Sequence, residues 1–194
     1  MNKIIFSLVM LAMLIPQSYA ADATGVNLKP KTKQEWQTYL RYRRDQALED
    51  LYALKPEAKY VVNHAYGYGV FSNFGLKIGF IGGNSGRGLV HDNRSGKEVF
   101  MRMAEGGVGL GLGIKDYRMI FVFDDRSVMD TFMRGSWSFG GGADAAVKTE
   151  TAGASTAGAI DLSPGVHMYA LTKNGLSVQA MVNGAKYWVD GHVN

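Results

Sequence analysis

Residues Ala65 to Val90 read A-Y-G-Y-G-V-F-S-N-F-G-L-K-I-G-F-I-G-G-N-S-G-R-G-L-V. Glycine recurs at positions 67, 69, 75, 79, 82, 83, 86 and 88, with aromatic and branched residues between. A helix would lose about 1 kcal/mol at each glycine relative to alanine. The interleaved apolar residues also exclude a flexible linker. The stretch reads as packed β-structure, with glycine wherever another part of the chain or a ligand comes close to the backbone.

Upstream of this stretch the composition is different. Lys3, the apolar run Ile4 to Ile15 and the small residues Ser18 and Ala20 have the three-part layout of a secretory signal peptide. The apolar run is short for a membrane-spanning helix. Residues 1–20 are therefore expected to be removed near Ala20, leaving a periplasmic or secreted chain with a peripheral membrane association. Of 194 residues, 174 then remain, enough for a single domain with a sizeable core. The sequence contains no cysteine, which excludes disulfides, thiolate metal sites and a lipidated cysteine anchor.

Charge and glycine are both unevenly spread. Lys29, Lys31, Lys33, Arg41, Arg43 and Arg44 are accompanied only by Glu35 between positions 29 and 44. Gly25 precedes residue 67, and the other 24 glycines follow from there. The chain thus has a basic helical head and a glycine-rich β body. Its formal charge of +4 is too small to indicate nucleic-acid binding.

In chain order, residues 21–31 form an extended lead-in and 32–194 a single domain. Thr32-Lys33-Gln34-Glu35 has the form of a capping box. Trp36, Leu40, Ala47, Leu48, Leu51 and Leu54 follow at helical spacing, interrupted by Arg43 and Arg44. Lys55-Pro56 divides this helix from a second that ends before Gly67. His64 on that second helix has no partner at ligand spacing and is expected to be buried or capping. From residue 67 the period changes to two. Strands are expected over 68–74, 76–82, 88–91, 97–103 and 105–113. Tyr117 to Phe123 forms the core strand. Asp124 or Asp125 caps a short helix near 125–134. Asn174-Gly175 and Asn183-Gly184 mark the hairpins of a terminal meander through 166–172, 176–182 and 185–189. The expected architecture is α+β: N-terminal helices packed on a glycine-rich, mainly antiparallel β-sheet or partly closed barrel.

No catalytic constellation emerges. Gly83-Asn84-Ser85-Gly86-Arg87-Gly88 has the look of a phosphate loop but lacks the lysine ending and a following helix. The glycines of 107–113 have no βαβ context. The four histidines are scattered, and helix capping accounts for Asp124-Asp125. No cofactor or metal is implied. The basic head is the functional candidate. Lys29, Lys31, Lys33, Arg41, Arg43 and Arg44, interleaved with Trp36, Tyr39 and Tyr42, suit an anionic lipid surface, where each cation contributes roughly 1 kcal/mol. Trp and Tyr favour the same interface. The alternative is a solvated helix face whose apolar stripe packs on the sheet.

The ordered motifs resemble the SYLF (Ysc84-like) family. They run from Leu54-Lys55-Pro56-Glu57-Ala58 through Ala65 to Phe71 and Gly79 to Gly88. They resume at Gly107 to Gly113, at Phe139-Gly140 to Val147 and at Tyr169 to Leu176. The resemblance covers about residues 50–190. Ser72-Asn73 stand where members usually carry proline after the phenylalanine, and Leu110 or Leu112 where a glutamine is usual. The resemblance implies an exported, non-enzymatic module that contacts anionic phospholipid, with no nucleic-acid partner. Lys77 and Arg87 are the charges of the glycine stretch placed to assist the head. An envelope protein as partner, with the glycine face receiving it, is the alternative.

Overall fold

A computed structural model describes residues 30–73, 83–106, 117–134, 137–139, 159–172, 175–177 and 185–194. The expectations for residues 1–29, 76–82, 107–113 and 140–158, and for the Asn183-Gly184 turn, lie outside them. The elements below belong to one compact unit, Lys31–Asn194.

Helix α1 (Lys33–Leu54) begins at the expected capping box. Thr32 accepts from the Glu35 amide, and the Glu35 carboxylate accepts from the Thr32 amide. Proline opens α2 (Pro56–His64) where its missing N–H costs no helical bond. The free carbonyls at the far end of α2 are met from outside: the Asn93 side chain donates to Val62 O (2.8 Å) and Ala65 O (3.1 Å). His64 is exposed, stacked on Tyr60 at 3.8 Å and 2.8 Å from the Tyr60 carbonyl through Nδ1. It therefore belongs to the last turn of the helix surface and not to the core. Tyr60 supplies the flat partner one turn earlier.

Nine strands are described: β1 (Gly67–Asn73), β2 (Gly83–Asp92), β3 (Glu98–Gly106), β4 (Tyr117–Phe123), β5 (Trp137–Phe139), β6 (Ile160–Ser163), β7 (Val166–Thr172), β8 (Gly175–Ser177) and β9 (Ala185–Val189). A short helix, α3 (Arg126–Met133), follows β4, with Asp125 as its cap accepting from the Val128 amide. All described pairings are antiparallel, in the order β5-β9-β3-β2-β1-β4-β7-β6, with β8 also on β7. The sheet curls into a half-barrel with the N-terminal helices packed on it, which is the expected α+β arrangement.

Two elements differ from the sequence reading. The phosphate-loop look-alike Gly83–Gly88 is the first half of strand β2, paired residue by residue with β3 and, from Gly86 on, with β1. The terminal segment is not a simple meander. β9 leaves the β7–β8 side and pairs with β3 and β5. The reason is burial. Tyr187 of β9 is fully buried with its ring 4.9 Å from Phe71 and 5.4 Å from Phe121, a position reached only beside β3.

Both faces of the sheet are covered, as the near-continuous burial of β4 shows. On one face α3 inserts Met129 and Phe132 among Phe71, Met101, Met103, Met119, Phe121, Phe123 and Tyr187. On the other, α1 and α2 bring Ala47, Leu51, Ala58 and Val62 onto Tyr68, Val70, Ile120, Val122 and Tyr169. A smaller group, Leu40 with Leu89, Phe100 and Val193, seats the N-terminal half of α1. The segment after β9 is tied beneath that half. Asn194 pairs with both backbone groups of Phe100 (2.9 and 2.6 Å), and Gln37 donates to Val193 O at 2.7 Å.

The glycines make this core possible. Gly88 lies directly opposite Phe71. A Cβ there would fall 2.1 Å from Val70 O and 2.6 Å from the Phe71 ring. The ring therefore occupies the space a side chain would take. Replacement Gly88→Ala is expected to destabilise the fold by about 3 kcal/mol through forced displacement of backbone and ring. Gly191→Ala, with open space around its Cβ position, should stay within about 0.5 kcal/mol. Equilibrium urea unfolding of the two variants checks the contrast.

Candidate functional site

The amphipathic spacing of α1 turns Leu40, Ala47 and Leu51 inward, and the arginines between them follow the same face at its edges. Their partners come from the sheet. Alternation along β3 puts Met101 and Met103 on the α3 side, so Glu98, Phe100 and Arg102 face the α1 side. Glu98, with 14% of its side chain exposed, receives Arg41 Nε at 2.7 Å and Arg44 Nη1 at 2.5 Å. Arg44 also reaches Asp45 at 2.7 Å. Arg118 of β4 pairs with Asp50 of α1 at 2.5 Å. Arg87 of β2 donates to the buried carboxylate of Asp190 at 2.9 Å and stacks its guanidinium 3.9 Å from the Trp36 ring centroid.

The ten candidate residues are thus brought to one side of the molecule only in part. Arg41, Arg44 and Arg87 are engaged by acids of the protein itself. Trp36 is half-buried, in edge contact with Tyr39 at 6.0 Å and covered by Arg87. Arg43 is half-buried beside them. Lys31 and Lys33 are exposed at the start of α1, and Lys33 Nζ donates to the Asn194 carbonyl. Lys29 and Lys77 lie outside the described residues.

Several residues on this face had no signal as site residues when the chain was read linearly. Register places Arg87 opposite Arg102 and Arg102 opposite Trp188, in one row across β2, β3 and β9. Arg102 lies 5.9 Å from the Trp188 ring centroid and 3.9 Å from Asp190. Lys186, two residues from Trp188 on the same face of β9, is exposed. Period-two alternation in 98–106 and 185–189 shows which residues share a face of each strand. Nothing in it shows that the two strands are neighbours.

Among the described residues no three of His, Asp and Glu are placed to hold a metal. One imidazole sits between two carboxylates: His167 Nδ1 is 2.5 Å from Asp161, and Nε2 is 2.9 Å from Asp124. Both ring nitrogens are occupied, so the group ties β6 and β7 to the start of α3 and has no nitrogen left to move a substrate proton. Burial works against its protonated form. The hydrogen bonds and charges of Asp161 and Asp124 outweigh that and raise its pKa above the ordinary 6.5.

Beneath α1 the shifts run the other way. Burial works to raise the Glu98 carboxyl, but hydrogen bonds and charge from Arg41 and Arg44 hold it below 4.5. Burial, reinforced by Arg44, pushes His91 below 6.5. Its Nδ1 is buried without a hydrogen bond, 3.8 Å from Glu98.

Residues 104–194 match the sequence profile of the Ysc84 family, described as "Las17-binding protein actin regulator". The chain is also similar to Beta cell expansion factor A of Aeromonas veronii, 29% identical over 163 residues. That alignment takes in 84% of this chain and 60% of the relative, so the chain spans under two thirds of the relative's length.

The ion pairs give two checks. Glu98→Gln removes the carboxylate charge facing Arg41 and Arg44, of which Arg44 keeps Asp45, and is expected to cost about 2 kcal/mol, a value lowered for residual solvent access. Urea unfolding measures it. For pH, stability linked to Glu98 and His91 is present at neutrality. It falls as pH drops below 6.5 for His91 and below 4.5 for Glu98. The His167 contribution is complete below 6.5 and is lost as pH rises through its raised value. Comparing the parent with His167→Gln, the stability difference should be largest in mild acid and shrink toward alkaline pH.

Proposed function

We propose that this chain, a member of the Ysc84-like (SYLF) family, is a non-enzymatic module of the bacterial cell envelope that binds anionic phospholipid. The start of α1 carries the reading. There Lys31 and Lys33 are exposed beside Trp36 and Tyr39, so cations and interfacial aromatics stand together at one end of the helix. This narrows the contact within the basic head. Arg41 and Arg44 face Glu98 and support the helix that presents the end. The signal-peptide pattern of residues 1–20 is the ground for a periplasmic or secreted location. Las17 and actin, named in the family's description, are proteins that an exported bacterial chain would not meet.

The second reading is a structural or protein-interaction domain whose bare glycine face, the alternating glycines of 107–113, receives a partner; those residues lie outside the described ones.

Sedimentation with vesicles of phosphatidylglycerol in phosphatidylcholine tests the proposal. Binding is expected at low ionic strength and should weaken as salt shortens the Debye length from about 30 Å at 0.01 M to about 8 Å at 0.15 M. Lys31→Ala with Lys33→Ala should weaken it by about tenfold, from roughly 1 kcal/mol per cation and some screening. Equal binding to pure phosphatidylcholine would sink the proposal.

A further inference from the structure

We infer that the outer end of the α1-side sheet face, Arg102 and Lys186 with Trp188, is a second and independent contact for anionic phospholipid headgroups. The inference rests on the lipid reading above and assigns it residues outside the basic head.

Three observations carry it. First, the patch has excess positive charge. Arg87 and Arg102 lie directly opposite each other on β2 and β3, an arrangement that is repulsive unless compensated. Asp190 is the compensating acid. It is 1% exposed, 2.9 Å from Arg87 and 3.9 Å from Arg102. One buried carboxylate facing two guanidinium groups leaves the more exposed Arg102, 43% accessible, as the outward cation. Glu98, the other described acid on this face of β3, is turned to Arg41 and Arg44 under α1. Lys186 adds an exposed cation one row further along.

Second, the cations are mounted on an aromatic group. Arg102 lies 5.9 Å from the Trp188 ring, and the two residues are paired across β3 and β9. A half-buried indole flanked by cations has the chemistry of the headgroup region, which accepts apolar groups and positive charge at the same depth.

Third, the patch is built on rigid structure. Arg102, Lys186 and Trp188 sit on paired strands whose opposite faces carry the fully buried Met101, Met103, Ala185 and Tyr187. Arg102 is also held from the side by Asp190. Little side-chain order has to be imposed on binding. An acidic protein surface could satisfy the charges but would leave the amphipathic indole of Trp188 without a role, which favours lipid.

The test uses the mature chain and four variants: Lys186→Glu, Trp188→Ala, Lys31→Ala with Lys33→Ala, and Lys31→Ala, Lys33→Ala and Lys186→Glu combined. Lys186 is exposed, so Lys186→Glu serves as the variant least able to disturb folding, checked by thermal unfolding. Each is sedimented with phosphatidylglycerol–phosphatidylcholine vesicles and, in parallel, mixed with polyglutamate. The expected result is a loss of about tenfold or more for Lys186→Glu. The combined variant should lose roughly the product of the separate losses, since the two patches act independently. If the parent binds vesicles while Lys186→Glu and Trp188→Ala bind equally well, the second contact is refuted and the lipid function stands. If the parent binds no vesicles, the lipid function itself fails. Binding to polyglutamate alone, lost in Lys186→Glu, would make the patch a protein-docking surface and overturn the lipid assignment.

Discussion

The close approach of β1 and β2 at Gly88 is the constraint on which the rest of the structure depends. Because position 88 has no side chain, the Phe71 ring lies across β2 instead of being pushed away from it. From there it meets Phe121, Phe132 and Tyr187 at 4.9–5.9 Å between ring centroids. These rings come from the neighbouring strand β4, from α3 and from β9. Edge and tilted ring contacts of this kind add stability beyond simple burial. Gly86 and Gly67 act similarly at Met103 and Met129. The glycine density of the sequence is thus, at these positions, a packing device for bulky core residues.

The second dependence is electrostatic. A helix with Arg41, Arg43 and Arg44 along its length would repel a sheet face that also presents Arg87, Arg102 and Arg118. Glu98, Asp190 and Asp50 offset that repulsion, each reaching across between elements. Breaking such a pair strands a partly buried charge, and its cost exceeds the small net gain of forming it. The pairs therefore fix where α1 sits more than how strongly it binds. They also sort the basic residues. Those above Glu98 are used inside the protein, while Lys31, Lys33, Arg102 and Lys186 keep their charge at or near the surface. An interfacial role for the chain belongs to the second group.

The local elements were legible because their causes are local. Thr32 and Glu35 cap α1, Pro56 starts α2, Asp125 caps α3, and Tyr117–Phe123 is apolar apart from Arg118 because both its faces are covered. Gly175, expected in the hairpin turn, is the first residue of β8, opposite Thr172 and at φ +108°. The resemblance over residues 50–190 agrees with the match over 104–194. What could not be read was partnership at long range. Asp190 carries no motif, and its role appears only when β9 lies against β3 and brings it to Arg87, 103 positions away. For the same reason Trp188, Lys186 and Arg102 do not form a set in the linear chain.

Capping chemistry, the change of period at residue 67 and glycine spacing were sufficient, from the sequence by itself, to determine the described helices, most of the described strands and the α+β class. Each of those depends on side chains a few residues apart. Only the tertiary structure decided that Gly83–Gly88 is a strand packed under Phe71, that β9 closes on β3, and which cations are consumed internally. Those outcomes depend on pairings between residues tens to more than a hundred positions apart, settled by burial of the aromatic core and by the few acids able to reach the arginines.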